Sequence, residues 1–235
     1  MTRAVVTTVA VLAALAPPAA AAVPRADQMV VFRSGKARVS HPSLAQATAK
    51  VGGRRCAVAA GTPLAALLHS GVGPLSLRDF GSCSKRPADG GSLFVSAIGP
   101  DRNKGSDGWV YKVGNVLGTA GAADPAGPFG RGRLRAGARI TWFWCHVTKR
   151  DRGCPHTLTV VQLPADRGTL SVYVRQYDDH GKAAPAAGAV VHAGGKTATA
   201  DSGGVARLAL AGGHYSAFAE QAGRVRSFAK AVAVG

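Results

Sequence analysis

The chain has 235 residues, 46% of them hydrophobic, and its 29 Lys and Arg residues against 12 Asp and Glu residues give a formal net charge of +17. This length suits one large domain or two small ones. No stretch after the N-terminal region approaches the length of a spanning helix, so we expect no membrane span. The charge favours anionic partners such as acidic wall polymers, glycans or lipid headgroups. The basic residues form no long run, which disfavours specific nucleic-acid binding. Solubility and codon bias are the alternative explanation for the excess of basic residues.

Residues 1–22 have the pattern of a cleaved secretory signal peptide. Arg3 gives a short positive region, residues 4–15 form an apolar region, and small residues end the segment at Ala22. The apolar run is shorter than the roughly 20 residues that a spanning helix needs. A buried alanine-rich helix is the alternative. We therefore expect a secreted, extracellular protein after cleavage near Ala22.

The cysteine content indicates disulfide bonds, because the count is even in a chain expected to be exported. The four positions are Cys56, Cys83, Cys145 and Cys154. Three pairings are possible. In a hairpin with its turn between Lys149 and Arg150, Cys145 and Cys154 lie directly opposite each other. We therefore favour the pairs Cys145–Cys154 and Cys56–Cys83.

A metal site is the alternative use of the second pair. Its ligands would be Cys145, His146, Cys154 and His156. Adjacent residues on a strand point to opposite faces, so Cys145 and His146 would not easily coordinate the same ion. The disulfide is the favoured interpretation, with no metal.

One short helix is predicted after Gly61. Thr62 is a favoured N-cap residue and Pro63 a favoured first helical residue. Leu64, Leu67 and Leu68 then share one helical face, which is the pattern of a helix that packs on a core.

The remaining residues before about position 163 show patterns typical of β-strands. In residues 107–115, Trp109, Tyr111 and Val113 alternate with Val110 and Lys112 between turn residues, which predicts a half-buried strand that we place at the centre of the domain. Further strands are predicted at 92–98 and 139–147, with 154–163 running back beside the latter.

A domain boundary is predicted at residues 164–168, where the pattern changes to short strands between glycine turns. Strands at intervals of roughly 8–12 residues indicate a small antiparallel β-sandwich. We therefore expect a first domain over 28–163 and a second over 168–235, both mainly β.

The first part resembles the transcobalamin C-terminal-like domain, over about residues 29–147. The resemblance rests on four segments in matching order and spacing: 61–68, 94–98, 108–113 and 134–144. It implies a β-rich, β-grasp-like fold with one short helix. The chain departs from the family pattern at Gly114-Asn115, where the family usually has Asn-Gly, and at Ala138, where it usually has Asp.

The second part is similar to small transthyretin-like or carboxypeptidase-regulatory-like sandwiches. Its matching segments are 185–191, 199–208 and 213–215. Such folds usually serve as accessory or adhesive modules, so the resemblance implies a binding role.

The sequence favours a non-catalytic exported binding or surface-interaction protein. It lacks the Gly-x-Ser-x-Gly and His-Glu-x-x-His motifs and a pair of carboxylates with catalytic spacing, and a bridged Cys145 cannot act as a nucleophile. Cobalamin binding is an alternative that only the resemblance implies, and the chain lacks the helical domain that covers the other side of the corrin. A cell-wall or glycan-binding accessory module is the second alternative.

Four aromatic residues are the candidate ligand contacts: Trp109, Tyr111, Trp142 and Trp144. The last two share a strand face with His146. An exposed strip of this kind binds sugars or apolar ligands by stacking, whereas a buried strip forms the core of the domain.

Overall fold

The computed structural model describes residues 22–147, 153–164 and 166–235. The predicted signal peptide, apart from Ala22, and the predicted turn at 149–150 lie outside these ranges. The described chain is mainly β, as predicted. Within it, no helix combines the length and the hydropathy that crossing a bilayer demands.

We call the described elements up to Cys145 the first part of the chain and those from Thr157 onward the second part. The described residues of the first part contain one α-helix, α1 (Pro63–His69), and a 3-10 helix at Pro87–Ser92. Its strands are β1 (Asp27–Val31), β2 (Ala37–Ser40), β3 (Ala47–Val51), β4 (Arg54–Val58), β5 (Leu75–Asp79), β6 (Leu93–Ile98), β7 (Asp101–Arg102), β8 (Gly108–Val113), β9 (Val116–Leu117) and β10 (Arg139–Cys145).

The main sheet of this part has five strands in the order β2-β1-β10-β8-β9, with β1 and β10 parallel and the other pairs antiparallel. The predicted strand at 108–113 is present as β8, but its placement at the centre was wrong. The central strand is β10, which pairs with β1 on one side and β8 on the other and has two strands on each side. Ile140, Thr141, Trp142 and Phe143 are all buried, so β10 is covered on both faces.

The helix begins as the sequence predicts. Thr62 is the N-cap, its Oγ1 accepts a hydrogen bond from the Ala65 N–H at 3.2 Å, and Pro63 opens the helix. Leu64 and Leu67 are fully buried in the first core. This core also contains Val30, Trp142 and the other side chains on the same face of the main sheet.

Two smaller sheets complete the first part. β3 pairs with β4, and β5, β6 and β7 form a three-stranded sheet. The disulfide Cys56–Cys83 ties β4 to the segment that follows β5, as predicted.

The described residues of the second part form strands and connecting turns, with no helix. The strands are β11 (Thr157–Leu163), β12 (Thr169–Tyr177), β13 (Ala183–Pro185), β14 (Val190–Ala193), β15 (Lys196–Thr199), β16 (Val205–Ala209), β17 (Gly213–Glu220) and β18 (Lys230–Val234). One sheet holds β11, β12, β13 and β16, and the other has the order β15-β14-β17-β18. Their facing side chains, among them Val160, Val172, Val191 and Ala219, form a second core.

The predicted return of 154–163 along β10 was wrong, although the disulfide Cys145–Cys154 is present. Both edges of β10 are already occupied by β1 and β8, so no edge remains for a hairpin partner. β11 pairs instead with β12 in the second part. The domain boundary at 164–168 stays a prediction, and β11, which precedes it, packs in the second core.

Candidate functional site

The four predicted aromatic residues lie on one face of the main sheet. In the antiparallel register of β8 and β10, Trp109 lies opposite Trp144 and Tyr111 opposite Trp142. Trp109, Tyr111 and Trp142 are only 5%, 6% and 1% exposed and belong to the first core, while Trp144 is partly exposed. The shared face is therefore mainly core, and an exposed strip of four rings is not present.

The polar atoms of two of these residues hold neighbouring backbone. The indole N–H of Trp109 donates to the Asp101 carbonyl at 2.8 Å. The Tyr111 hydroxyl donates to the Ala120 carbonyl at 2.6 Å and lies 3.2 Å from the Pro128 carbonyl. These contacts give Trp109 and Tyr111 a structural role in fixing the segments beside the sheet.

A small apolar cleft of about 190 Å³ reaches this cluster, and Trp109, Tyr111, Trp142 and Phe94 contribute to its walls. A corrin ring, a macrocycle of four linked five-membered rings, is too large to enter such a cleft. Trp144, on the outer side, is covered by the Arg33 guanidinium, 5.0 Å from its ring centre. The aromatic cluster therefore offers no cavity that encloses a corrin ring, and cobalamin binding by the first part stays a prediction.

The opposite face of the main sheet meets the second part of the chain. Met29, Val31 and Phe143 pack there with the disulfide Cys145–Cys154 and with Val225. Both sulfur atoms of the alternative metal site are consumed in this disulfide. The described residues hold no group of three or more His, Cys, Asp and Glu side chains placed to bind a metal ion.

Lys112 of β8 is fully buried at this junction. Its Nζ donates to the carbonyls of Tyr177 and Asp178 at 3.0 and 2.7 Å and lies 3.5 Å from Oδ1 of Asp179. Burial lowers the pKa of Lys112, and the negative charge of Asp179 opposes part of that effect. A cation of the first part thus caps the turn that follows β12.

Asp179 makes further bonds across the junction. Its carbonyl accepts the Leu117 N–H at 2.9 Å, and its Oδ2 accepts the Cys154 N–H at 2.8 Å. With Lys112, these contacts fix the turn at 178–179 against the first part. The junction is therefore held by specific polar bonds as well as by apolar packing.

Beside this junction lies a cleft of about 270 Å³ between the main sheet and β11, which we call the basic cleft. Its cationic wall residues are Arg139, Arg226 and Lys230. Its polar wall residues are Asn115, Thr141, Thr157, Thr159 and Tyr177. None of its described wall residues is Asp or Glu. The cleft is therefore a positive, hydrogen-bonding environment.

Strand geometry places the threonines of the basic cleft. Leu158 and Val160 point into the second core, so Thr157 and Thr159 point to the other face of β11, toward the main sheet. Arg139 opens β10, and its guanidinium lies 5.6 Å from the ring of Phe228, another wall residue. The two parts of the chain thus supply opposite walls.

Several polar atoms in these walls lack a partner. Oγ1 of Thr157, Oγ1 of Thr159 and Nε of Arg226 are buried, and none makes a hydrogen bond within the described part of the chain. The Arg226 guanidinium stacks on Phe218, 3.9 Å from the ring centre. A buried donor without an acceptor costs free energy, so these walls retain unused hydrogen-bonding capacity beside the cleft.

Sequence reasoning missed the basic cleft. Its wall residues come from positions between 29 and 230, and no short pattern connects them. The one local signal is the alternation of Thr157 and Thr159 with Leu158 and Val160, which marks β11 as a strand with a polar outer face. Only the packing of the two parts shows what that face meets.

Comparison with known proteins identifies neither a family nor a function for the chain. No family model, no curated protein and no solved structure matches the chain. The resemblances to the transcobalamin C-terminal-like domain and to transthyretin-like sandwiches stay predictions that rest on motifs. The chain is thus placed by its architecture: a mainly β protein with two disulfides and a basic cleft between its two parts.

Proposed function

We propose that this chain is an exported, non-catalytic binding protein that holds an anionic group of its ligand in the basic cleft. The observation that carries the proposal is the composition of the walls: Arg139, Arg226 and Lys230 with hydroxyl groups and without a described carboxylate. Such walls attract an anion by charge and offer it hydrogen-bond donors.

Export is supported by two independent features. Residues 1–22 have the three-part pattern of a secretory signal. All four cysteines form disulfides, which persist in oxidising compartments outside the cytoplasm.

A binding role without catalysis is supported by the chemistry of the cleft. Its described walls contain no His, Cys, Asp or Glu, the residue types that most often act as nucleophile or general base. Arginine and threonine side chains can hold a ligand, and the described walls place no His or carboxylate beside them to activate a hydroxyl group.

Acidic wall polymers or acidic glycans are the proposed ligands, since the protein meets them outside the cell. A cleft of about 270 Å³ admits one charged substituent of a polymer rather than a whole chain. Neighbouring units of the polymer would then contact the surrounding surface, where the excess of Lys and Arg over Asp and Glu adds attraction.

The test is binding of fluorescent polygalacturonate, an acidic glycan, with dextran as the neutral comparison, followed by fluorescence anisotropy. We expect the protein to bind polygalacturonate and not dextran. The double variant Arg139→Gln/Arg226→Gln should bind at least about tenfold more weakly, because it loses charge-assisted hydrogen bonds. Binding should also weaken as salt is added.

The matched control is Arg131→Gln/Arg135→Gln, which removes the same charge from exposed positions outside the cleft. It should keep most of the affinity. Equal losses in both double variants would show that net charge alone attracts the polymer and would contradict the proposed site.

A further inference from the structure

Two large aromatic side chains are exposed together on the first part. Phe80 is 69% exposed and Phe94 is 44% exposed. Their ring centres are 6.2 Å apart in an edge-to-face arrangement. Single exposed apolar residues are common on protein surfaces, but a pair in contact marks a candidate interaction surface.

The loop that presents Phe80 is locked. Oδ1 of Asp79 accepts the N–H groups of Gly81, Ser82 and Cys83 at 3.0, 2.8 and 3.0 Å. Cys83 is bonded to Cys56, so the loop is also anchored covalently to β4. Phe80 is therefore held outward by its backbone, and little conformational entropy is lost when the ring enters an apolar environment.

Cations without acidic partners accompany the two rings. Arg78 lies directly opposite Phe94 in the β5–β6 pair, so both side chains occupy the same face. Arg78, Arg102 and Phe94 also line one cleft. No carboxylate in the described chain forms an ion pair with Arg78 or Arg102. We call this surface, formed by Phe80, Phe94, Arg78 and Arg102, the Phe80–Phe94 patch.

We propose that the Phe80–Phe94 patch docks on the surface of a lipid bilayer that contains anionic lipids. The two rings enter the interfacial region, and the two guanidinium groups contact headgroup phosphates. Exposed aromatic rings beside cations are the combination by which peripheral proteins bind such surfaces. The site uses none of the residues of the basic cleft, so it stands apart from the function proposed above.

The size of the patch favours a bilayer over a protein partner. A stable protein–protein interface buries about 1,200–2,000 Å² in total, which needs roughly 20–30 residues on each side. Two rings and two arginines form a much smaller contact. A bilayer needs only a few projecting apolar groups, because the large excess of Lys and Arg over Asp and Glu supplies attraction over a longer distance.

The test is co-sedimentation of the mature protein with vesicles of phosphatidylcholine alone and of phosphatidylcholine mixed with phosphatidylglycerol. We expect binding to the mixed vesicles only. The double variant Phe80→Ser/Phe94→Ser should bind at least about tenfold more weakly, since it loses the apolar contact. Arg78→Gln/Arg102→Gln should reduce both the binding and its dependence on salt.

Two controls separate this site from other effects. Val39→Ser changes an apolar residue that is 55% exposed in β2, and it should leave vesicle binding unchanged. Arg139→Gln/Arg226→Gln, in the basic cleft, should keep most of the vesicle binding, because it lowers the net charge but leaves the rings and guanidinium groups of the patch intact. Since Phe80 and Phe94 are exposed, their replacement should preserve the circular dichroism spectrum of the folded protein.

A Phe80→Trp variant reports on the position of the ring itself. Its additional fluorescence should shift to shorter wavelength with mixed vesicles, as expected for an indole that enters the interface. Absence of binding to the mixed vesicles, or wild-type binding by Phe80→Ser/Phe94→Ser, would overturn the proposal. Loss of binding in the basic-cleft variant would assign the attachment to that cleft instead.

Discussion

Asp79 shows how one carboxylate shapes its surroundings. It accepts three backbone N–H groups and pairs with Arg54. Burial by itself raises the pKa of Asp79, but the hydrogen bonds from Ser82, Gly81 and Cys83 and the charge of Arg54 outweigh it. The pKa therefore lies below its ordinary value of 3.8.

This shift predicts a defined acid dependence. The unfolded chain binds the proton of Asp79 more readily than the folded chain, so the stabilisation by the carboxylate is complete above pH 3.8 and is lost as the pH falls through the lower folded pKa. We expect Asp79→Asn to be less stable than the wild type at pH 7 and to approach it at strongly acidic pH. Urea unfolding over this pH range measures the difference.

Asp166→Asn is the matched control, because it alters an exposed carboxylate. Its stability should follow that of the wild type at every pH. A gap between wild type and Asp79→Asn that stays constant down to strongly acidic pH would contradict the assigned role.

At the scale of single elements, β8 depends on a close approach of the following segment. A Cβ atom added at Gly118 would lie 2.2 Å from the ring of Tyr111. That ring cannot move aside easily, because its hydroxyl is bonded to the Ala120 carbonyl. Glycine at 118 is thus required by space rather than by backbone conformation.

We therefore expect Gly118→Ala to destabilise the protein by about 1–3 kcal/mol through overpacking. Denaturant unfolding measures the change. Gly91→Ala is the control, since its added Cβ would make only an ordinary contact at 3.7 Å with Pro125. If the two variants proved equally stable, the close packing at Tyr111 would be refuted.

Helices and strands were predictable where a short run of residues is enough to determine the local structure. The N-cap Thr62 and the following Pro63 identify α1, and the alternation from Trp109 to Val113 identifies β8. The central position of β10 was not predictable in this way, because it depends on pairing with β1 from the other end of the first part.

The candidate site was less predictable than the fold. Strand parity correctly groups Trp109 with Tyr111 and Trp142 with Trp144, but only the register of β8 and β10 puts all four on one face, and parity does not tell what covers that face. The helix and two smaller sheets cover it here. The basic cleft is formed by residues that only tertiary packing brings together.

At the scale of the whole molecule, Lys112 joins the two parts of the chain. The ammonium group is fully buried against two carbonyls and Asp179. The geometry of the basic cleft depends on this junction, because each part supplies one wall. Lys112 thus helps to hold the two walls of the cleft in place without lining it.

We expect Lys112→Ala to destabilise the protein by about 3–5 kcal/mol, because it leaves the partners of a buried cation unpaired. Lys112→Met, which refills the space with an apolar chain, should cost less. Lys50→Ala, at an exposed lysine of β3, should stay within about 0.5 kcal/mol of the wild type. Urea unfolding of the three variants checks this order, and a Lys112→Ala variant as stable as Lys50→Ala would disprove it.

The parallel pairing of β1 with β10 has a consequence for how the chain acquires its structure. β1 is the first strand of the described chain, yet its partner residues 139–143 lie at the end of the first part. Contacts between residues so distant in sequence form slowly, since a long loop must close before they contribute. Until β10 pairs with it, the apolar run Met29–Val31 has only β2 beside it, so aggregation during folding competes most directly with completion of this sheet.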